Sequence, residues 1–162
     1  MAAVLVCTTA LACADASHQI TVAGWGPVKV GMTPAEAAAT LGTAFEVPPG
    51  AIATDDCHYR TTPAAPGLLF MVEDGRIVRV ETKERTYSTP SGVRVGDTEE
   101  DAMRADAGRA DVRPHKYTTS GHCVVLLAAD GKRAVVVETD KGRVVAIRGG
   151  LRPAVEYVEG CS

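Results

Sequence analysis

The sequence predicts an α+β fold built as two tandem units, each a short capped helix followed by an antiparallel sheet of three to four strands covered on one face. Three observations carry this. The stretch "KVGMTPAEAAATLG", from Lys29, is echoed by "RVGDTEEDAMRADAG", from Arg94, and each is followed by a set of apolar segments separated by turn signals. A third is that "DGRIVRV" and "KGRVVAI" recur at matching places within the two sets, so whole units are repeated rather than helix starts alone.

The chain begins with "MAAVLVCTTALACADAS", which reads as a secretory leader: an apolar run too short to span a bilayer, then two small-x-small sites. The division expected is residues 1–16 as signal peptide, 17–87 as the first unit and 88–162 as the second unit with its tail. Lipid attachment at Cys13 is the rival reading and would anchor the chain to a membrane surface.

In the first unit Gly31 permits the turn out of "VKV". Thr33 is an N-cap, Pro34 takes the first helical position where its missing N–H costs nothing, and Glu36 completes a capping box. Gly42 stops the helix. After the loop "EVPPGAIATDD" come the strands "CHYRTT", "LLFMVED" and "RIVRVETKE", the last two joined by an Asp74-Gly75 hairpin turn.

In the second unit Thr98 caps, and Glu99, Glu100 and Asp101 place negative charge at the positive end of the helix dipole. Gly108 is the expected stop. The loop "RADVRPHKYTTSG" leads to "HCVVLLAAD", "RAVVVETD" and "RVVAIRG", with turns at Asp130-Gly131 and Lys141-Gly142. Helices this short are marginal alone, so each must pack against its sheet. Alternation in "RIVRVET" puts Val78 and Val80 on one face and Ile77, Arg79 and Glu81 on the other, which predicts a helix-covered inner face and an open charged outer face.

Composition narrows the function classes. Hydrophobic residues at 46% and charged residues at 23% mark a globular chain, and with aromatics at 4% the core must come from Val, Ile, Leu and Ala. Net charge is -3 without any block of like charge, so the clustered basic footprint of a nucleic-acid binder is missing. No nucleophile elbow, zincin helix, Cys-x-x-Cys pair, P-loop or dinucleotide glycine motif is present.

With the leader removed, Cys57, Cys123 and Cys161 remain, an odd number that in an oxidising compartment means one disulfide and one buried thiol. Cys57 with Cys161 is favoured, because it staples a tail that otherwise frays, and Cys123 sits in an apolar strand. Cys57 with Cys123, or three free thiols, are the alternatives.

The order of an apolar stretch, "VGMTPAEA", Leu-Gly, a cysteine-led antiparallel sheet and then the same again resembles the tandem-repeat fold of beta-lactamase inhibitory protein, with single-unit versions in the SmpA/OmlA (BamE) outer-membrane lipoproteins. The tail "PAVEYVEGCS" is similar to that of bacterial secreted proteins carrying two such units. The resemblance covers Trp25 to Gly149 in element order and implies non-enzymatic protein binding or envelope assembly, without cofactor, in a secreted or periplasmic and monomeric protein.

Candidate contact residues are Arg113, His115, Lys116 and Tyr117 in the loop "RPHKY", with Tyr117 as amphipathic anchor and the cations steering an acidic partner. The plainer reading is a solvated connection whose Tyr117 folds back on the sheet. His115 at an interface would make binding sensitive to pH between 5 and 8. On the sheet, Arg79, Glu81 and Arg148, with Glu73, Arg133 and Glu138, form a mixed-sign face that either docks a partner or is solvated. The alternative class is a small hydrolase or metal-dependent enzyme using the His58 and His115 neighbourhood, with Asp55, Asp56 or His122 in support. A third reading is an envelope structural protein anchored through Cys13.

Overall fold

The structure is a computed structural model that describes residues 18–51, 54 and 56–161. The leader and Cys13 lie outside the described residues, as does Asp55. Strands and helices follow in the order β1 (Ile20–Thr21), β2 (Gly24–Trp25), β3 (Val28–Lys29), α1 (Pro34–Leu41), β4 (Cys57–Arg60), β5 (Leu68–Glu73), β6 (Arg76–Thr82), α2 (Glu99–Ala105), β7 (Asp111–Pro114), β8 (His122–Leu127), β9 (Arg133–Asp140) and β10 (Arg143–Leu151). A single 3-10 turn, Ala154–Glu156, follows. No helix among the described residues is long and apolar enough to cross a membrane.

Helix starts form as their chemistry dictates. Thr33 Oγ1 accepts from the Glu36 N–H at 3.2 Å while Glu36 Oε2 accepts from the Thr33 N–H at 2.8 Å, a closed capping box. Thr98 Oγ1 accepts from the Asp101 N–H at 3.0 Å. Gly42 caps α1 in the left-handed region, with φ of 67°. In contrast, α2 ends before Gly108: Asp106 turns inward as its cap, 2% exposed, and its carboxylate takes Ser91 Oγ at 2.7 Å and Arg109. A buried carboxylate needs such partners, and reaching them breaks the helix.

The main sheet is antiparallel, seven-stranded and continuous, in the order β4-β5-β6-β10-β9-β8-β7. The expected pair of sheets is therefore one sheet, closed in its middle by β6 against β10 with Arg148 opposite Glu81. Four strands escape the sequence reading. The loop read as lacking a strand partner contains β7, whose Val112 lies opposite Val124 of β8. Ile20 to Lys29 forms a second, three-stranded sheet of two-residue strands.

The first face of the main sheet carries the principal core. Leu68, Phe70, Val72, Ile77 and Val80 from one half, and Val124, Val135, Val137, Val144 and Ile147 from the other, pack under Ala37 of α1, Ala102 of α2 and Ile20, Trp25 and Val28 of the small sheet. Gly149 admits β1 of this small sheet: a Cβ there would lie 2.3 Å from Thr21 O.

Simple alternation fails on β6 because of a bulge. Register shifts between Met71, opposite Arg79, and Val72, opposite Ile77, so Val78 is extra and Ile77 joins Val80 on the core face. The same shift occurs in β10 at Val145, between Val144 and Ala146. Both bulges serve the same end. Gly31 donates to Ile77 O at 2.7 Å and Arg76 Nη1 to Gly31 O at 2.7 Å; Gly96 donates to Val144 O at 2.9 Å and Arg143 Nη1 to Gly96 O at 3.2 Å.

The second face is covered too, which corrects the expectation of a sheet covered on one side only. After β10 the chain turns back, and Val155 packs on Val125, Ala134 and Val136. The tail then crosses the sheet and is fixed at its end by the Cys57–Cys161 disulfide, with a Cα–Cα distance of 5.5 Å.

Candidate functional site

Two places gather the residues singled out in the sequence. The first is the turn from Pro114 to Gly121 beyond the β7 edge. His115 lies beneath this turn with its side chain 5% exposed. Its Nδ1 accepts from the Tyr117 N–H at 3.0 Å and the Thr118 N–H at 3.2 Å, which leaves Nε2 to donate to Glu138 Oε1 at 3.0 Å. The His115 N–H donates to Gly121 O at 2.9 Å, and Ser120 Oγ donates to Asp140 Oδ1 at 2.7 Å. That hydroxyl holds the Asp140 carboxyl below its ordinary range. Gly121 is required by crowding, since a Cβ would meet Thr139 O at 2.3 Å.

The result is a turn templated from below with its aromatic outward. Tyr117 is 56% exposed, against the reading in which it folds back on the sheet. Lys116 Nζ stands 5.0 Å from its ring centroid and 2.8 Å from Glu159 Oε1. Arg113 is engaged sideways, with Asp111 at 2.7 Å and Glu156 at 3.3 Å. Of the four candidate loop residues, Lys116 and Tyr117 are exposed, Arg113 is tied to its neighbours, and His115 is a positioning residue under the turn.

The second place is the face beneath the tail. Arg79 and Arg148 are 1% and 3% exposed, so neither stands on an open surface. Arg79 pairs through Nη2 with Glu81 and donates to Tyr59 Oη at 2.7 Å; Arg148 Nη1 pairs with Glu138 Oε2 at 2.8 Å. Two guanidiniums and two carboxylates thus neutralise one another in a buried network. Burial, and then the Glu81 charge, push the Tyr59 hydroxyl pKa up, so it stays a neutral acceptor for Arg79. Cys123 borders this face as a free thiol whose pKa is pushed up by burial.

The histidines are spread apart. His58 is on β4 and His115 follows β7, at opposite edges of the sheet; six strand spacings of about 4.8 Å put them roughly 29 Å apart, so they make no common site. His122 Nδ1 bonds Glu99 Oε2 at 3.0 Å, and the same carboxylate takes the Thr139 hydroxyl. Among the described residues no group of three or more His, Cys, Asp or Glu side chains is placed to hold a metal ion.

The sequence signal for this network was the alternation that put Arg79, Glu81, Glu138 and Arg148 on one mixed-sign face. What hid its burial was the tail, whose apolar content is too small to announce that it covers a sheet.

No protein-family model matches the chain, and no curated protein matches it. Among solved structures, an extracellular protein containing a SCP domain, from Bacillus anthracis str. Ames, aligns with a TM-score of 0.38 and 12% identity over 91% of this chain. The chain spans 50% of that protein's length, and at this similarity no property of it is carried over.

Proposed function

We propose that the chain is a secreted or periplasmic, non-enzymatic protein-binding module that meets its partner through the turn from Pro114 to Gly121. One observation carries the reading: Tyr117 is exposed while the backbone on both sides of it is fixed by a buried histidine side chain, a half-buried glutamate and an obligatory glycine. An amphipathic ring on a rigid mount loses little conformational entropy on binding, which is what makes tyrosine an effective anchor. A disulfide between residues 104 apart supports an oxidising compartment.

The architecture behind this reading is two copies of one helix-plus-meander unit, 17–87 and 88–162. The paired bonds of Gly31 and Gly96, the paired arginines Arg76 and Arg143, and the paired bulges at Val78 and Val145 support it. If the copies are equivalent, function belongs where they differ. The turn after β7 differs in sequence from the loop "EVPPGAIATDD" before β4, whose Glu46 pairs with Thr61.

The test is retention of a partner from envelope or culture extracts on the immobilised protein, on Tyr117→Ala and on Val47→Ala, a control at an exposed residue of the first loop. Loss of at least tenfold for Tyr117→Ala alone is expected. Equal retention by all three would remove the turn from the interface.

A further inference from the structure

The C-terminal tail meets the sheet in the manner of a bound peptide. It supplies main-chain carbonyls: Arg79 Nη1 donates to Ala154 O at 2.9 Å and to Tyr157 O at 2.7 Å, and Arg148 Nη1 reaches the same Tyr157 O at 3.4 Å. Two buried guanidiniums thus converge on one carbonyl oxygen. Because Glu81 and Glu138 already neutralise them, this position suits the dipole of a peptide carbonyl better than a free anion.

The tail also fills its place incompletely. Ala154 and Val155 are buried, yet Tyr157 is 39% exposed, and Val158 lines two cavities. One, of about 260 Å³, is lined by Tyr59, Glu81, Glu138 and Arg148; the other, of about 170 Å³, by Arg113, Cys123 and Val136. Donor capacity is left over as well: among the described residues Arg79 Nε and both Nε and Nη2 of Arg148 have no hydrogen-bond partner, although these side chains are nearly wholly buried. A face with spare donors and spare volume beside its occupant is larger than that occupant.

We propose that the second face of the sheet is a peptide site, which the chain fills with its own residues 153–161 and which accepts in their place an extended segment of another polypeptide. The segment must offer two carbonyls spaced like those of Ala154 and Tyr157 and a small branched side chain like Val155. Cys57, at the end of the track, adds a covalent position. A thiolate on the incoming segment attacks Cys57 Sγ, the Cys57–Cys161 bond breaks, and Cys161 leaves as a thiolate that takes up a proton; one disulfide replaces another without net oxidation. This site is separate from the Tyr117 turn and does not depend on that reading.

The experiment uses the intact, oxidised chain in a glutathione redox buffer, with a synthetic peptide of residues 153–162, "PAVEYVEGCS", as probe. Scrambled and Val155→Asp versions of the peptide are the controls, and peptide mapping by mass spectrometry is the readout. At least tenfold more probe than control on Cys57 is expected, without dependence on low urea. Equal yields, no adduct with any peptide, attachment to Cys161 instead, or capture only with the urea dependence of global unfolding would each overturn the proposal.

Discussion

The two faces of the seven-stranded sheet are covered by different physics. The first is sealed by Phe70, Ile77, Val80, Val137, Val144 and Ile147 under helices and a small sheet, where close packing makes each methylene count. The second is sealed by a nine-residue strap held by carbonyl bonds to two arginines, one buried valine and a disulfide. A packed apolar face is hard to open and serves stability. A polar face under a strap is where a protein can exchange one occupant for another.

Mutation should separate the faces. Phe70→Ala, at a wholly buried ring packed 5.0 Å from Phe45, is expected to cost about 3–5 kcal/mol in urea unfolding. A cost below 1 kcal/mol would mean that the first face is not the main core. Cys161→Ser on the second face should cost up to about 4 kcal/mol, because the bridge spans 104 residues of unfolded chain. Here the folded strap should loosen while the sheet keeps its signal.

Smaller effects sharpen the contrast at the helix starts. Thr33→Ala removes a closed capping box and Thr98→Ala a single capping bond, each about 1 kcal/mol, with Thr33 the larger. Reversal of that order in thermal melts would mean that the box adds nothing. Tyr117→Ala should stay within about 0.5 kcal/mol of the parent, because the ring is outside both faces.

The pH dependence has a defined sign. Glu99 is held below its ordinary value of 4.5, first by the Thr139 hydroxyl and then by His122. A depressed folded pKa contributes stability that is present above 4.5 and is lost as pH falls through the folded value. Glu99→Gln should therefore flatten part of the acid limb of a melting-temperature profile, and an unchanged limb would show that this contact is not coupled to folding.

How much of this could be read from the residues follows the range of each signal. Thr33, Glu36 and Gly42, and the hairpins at Asp74-Gly75 and Lys141-Gly142, act over a few residues, and the structure reproduces them; both residues of each hairpin turn have positive φ. The bulges at Val78 and Val145 were not legible, because the partner strand decides whether one residue is skipped. Strands β1 to β3 are two residues long, too short to show a period. Strand β7 was hidden by Pro114 and its charges, which are how an exposed edge avoids further pairing. At the candidate site the loop "RPHKY" was marked with Tyr117 as its anchor, but the place of His115 beneath the turn was not legible, because its contact with Glu138 is 23 positions away. Arg79 was placed on the correct face, yet its burial depends on the tail, 75 and 78 positions away.

Hydrogen exchange with and without a dithiol tests the contrast between the faces most directly. The Glu156 and Tyr157 amides bond Pro153 O and Ala154 O within the strap, whereas the β6 and β10 amides belong to the sheet ladder. On reduction of Cys57–Cys161 the strap amides should lose their protection outright, while β6 and β10 lose at most what the fall in global stability, about 4 kcal/mol, allows and stay protected. Complete loss across strap and sheet alike would contradict the account, because the disulfide would then hold the whole fold rather than a replaceable cover.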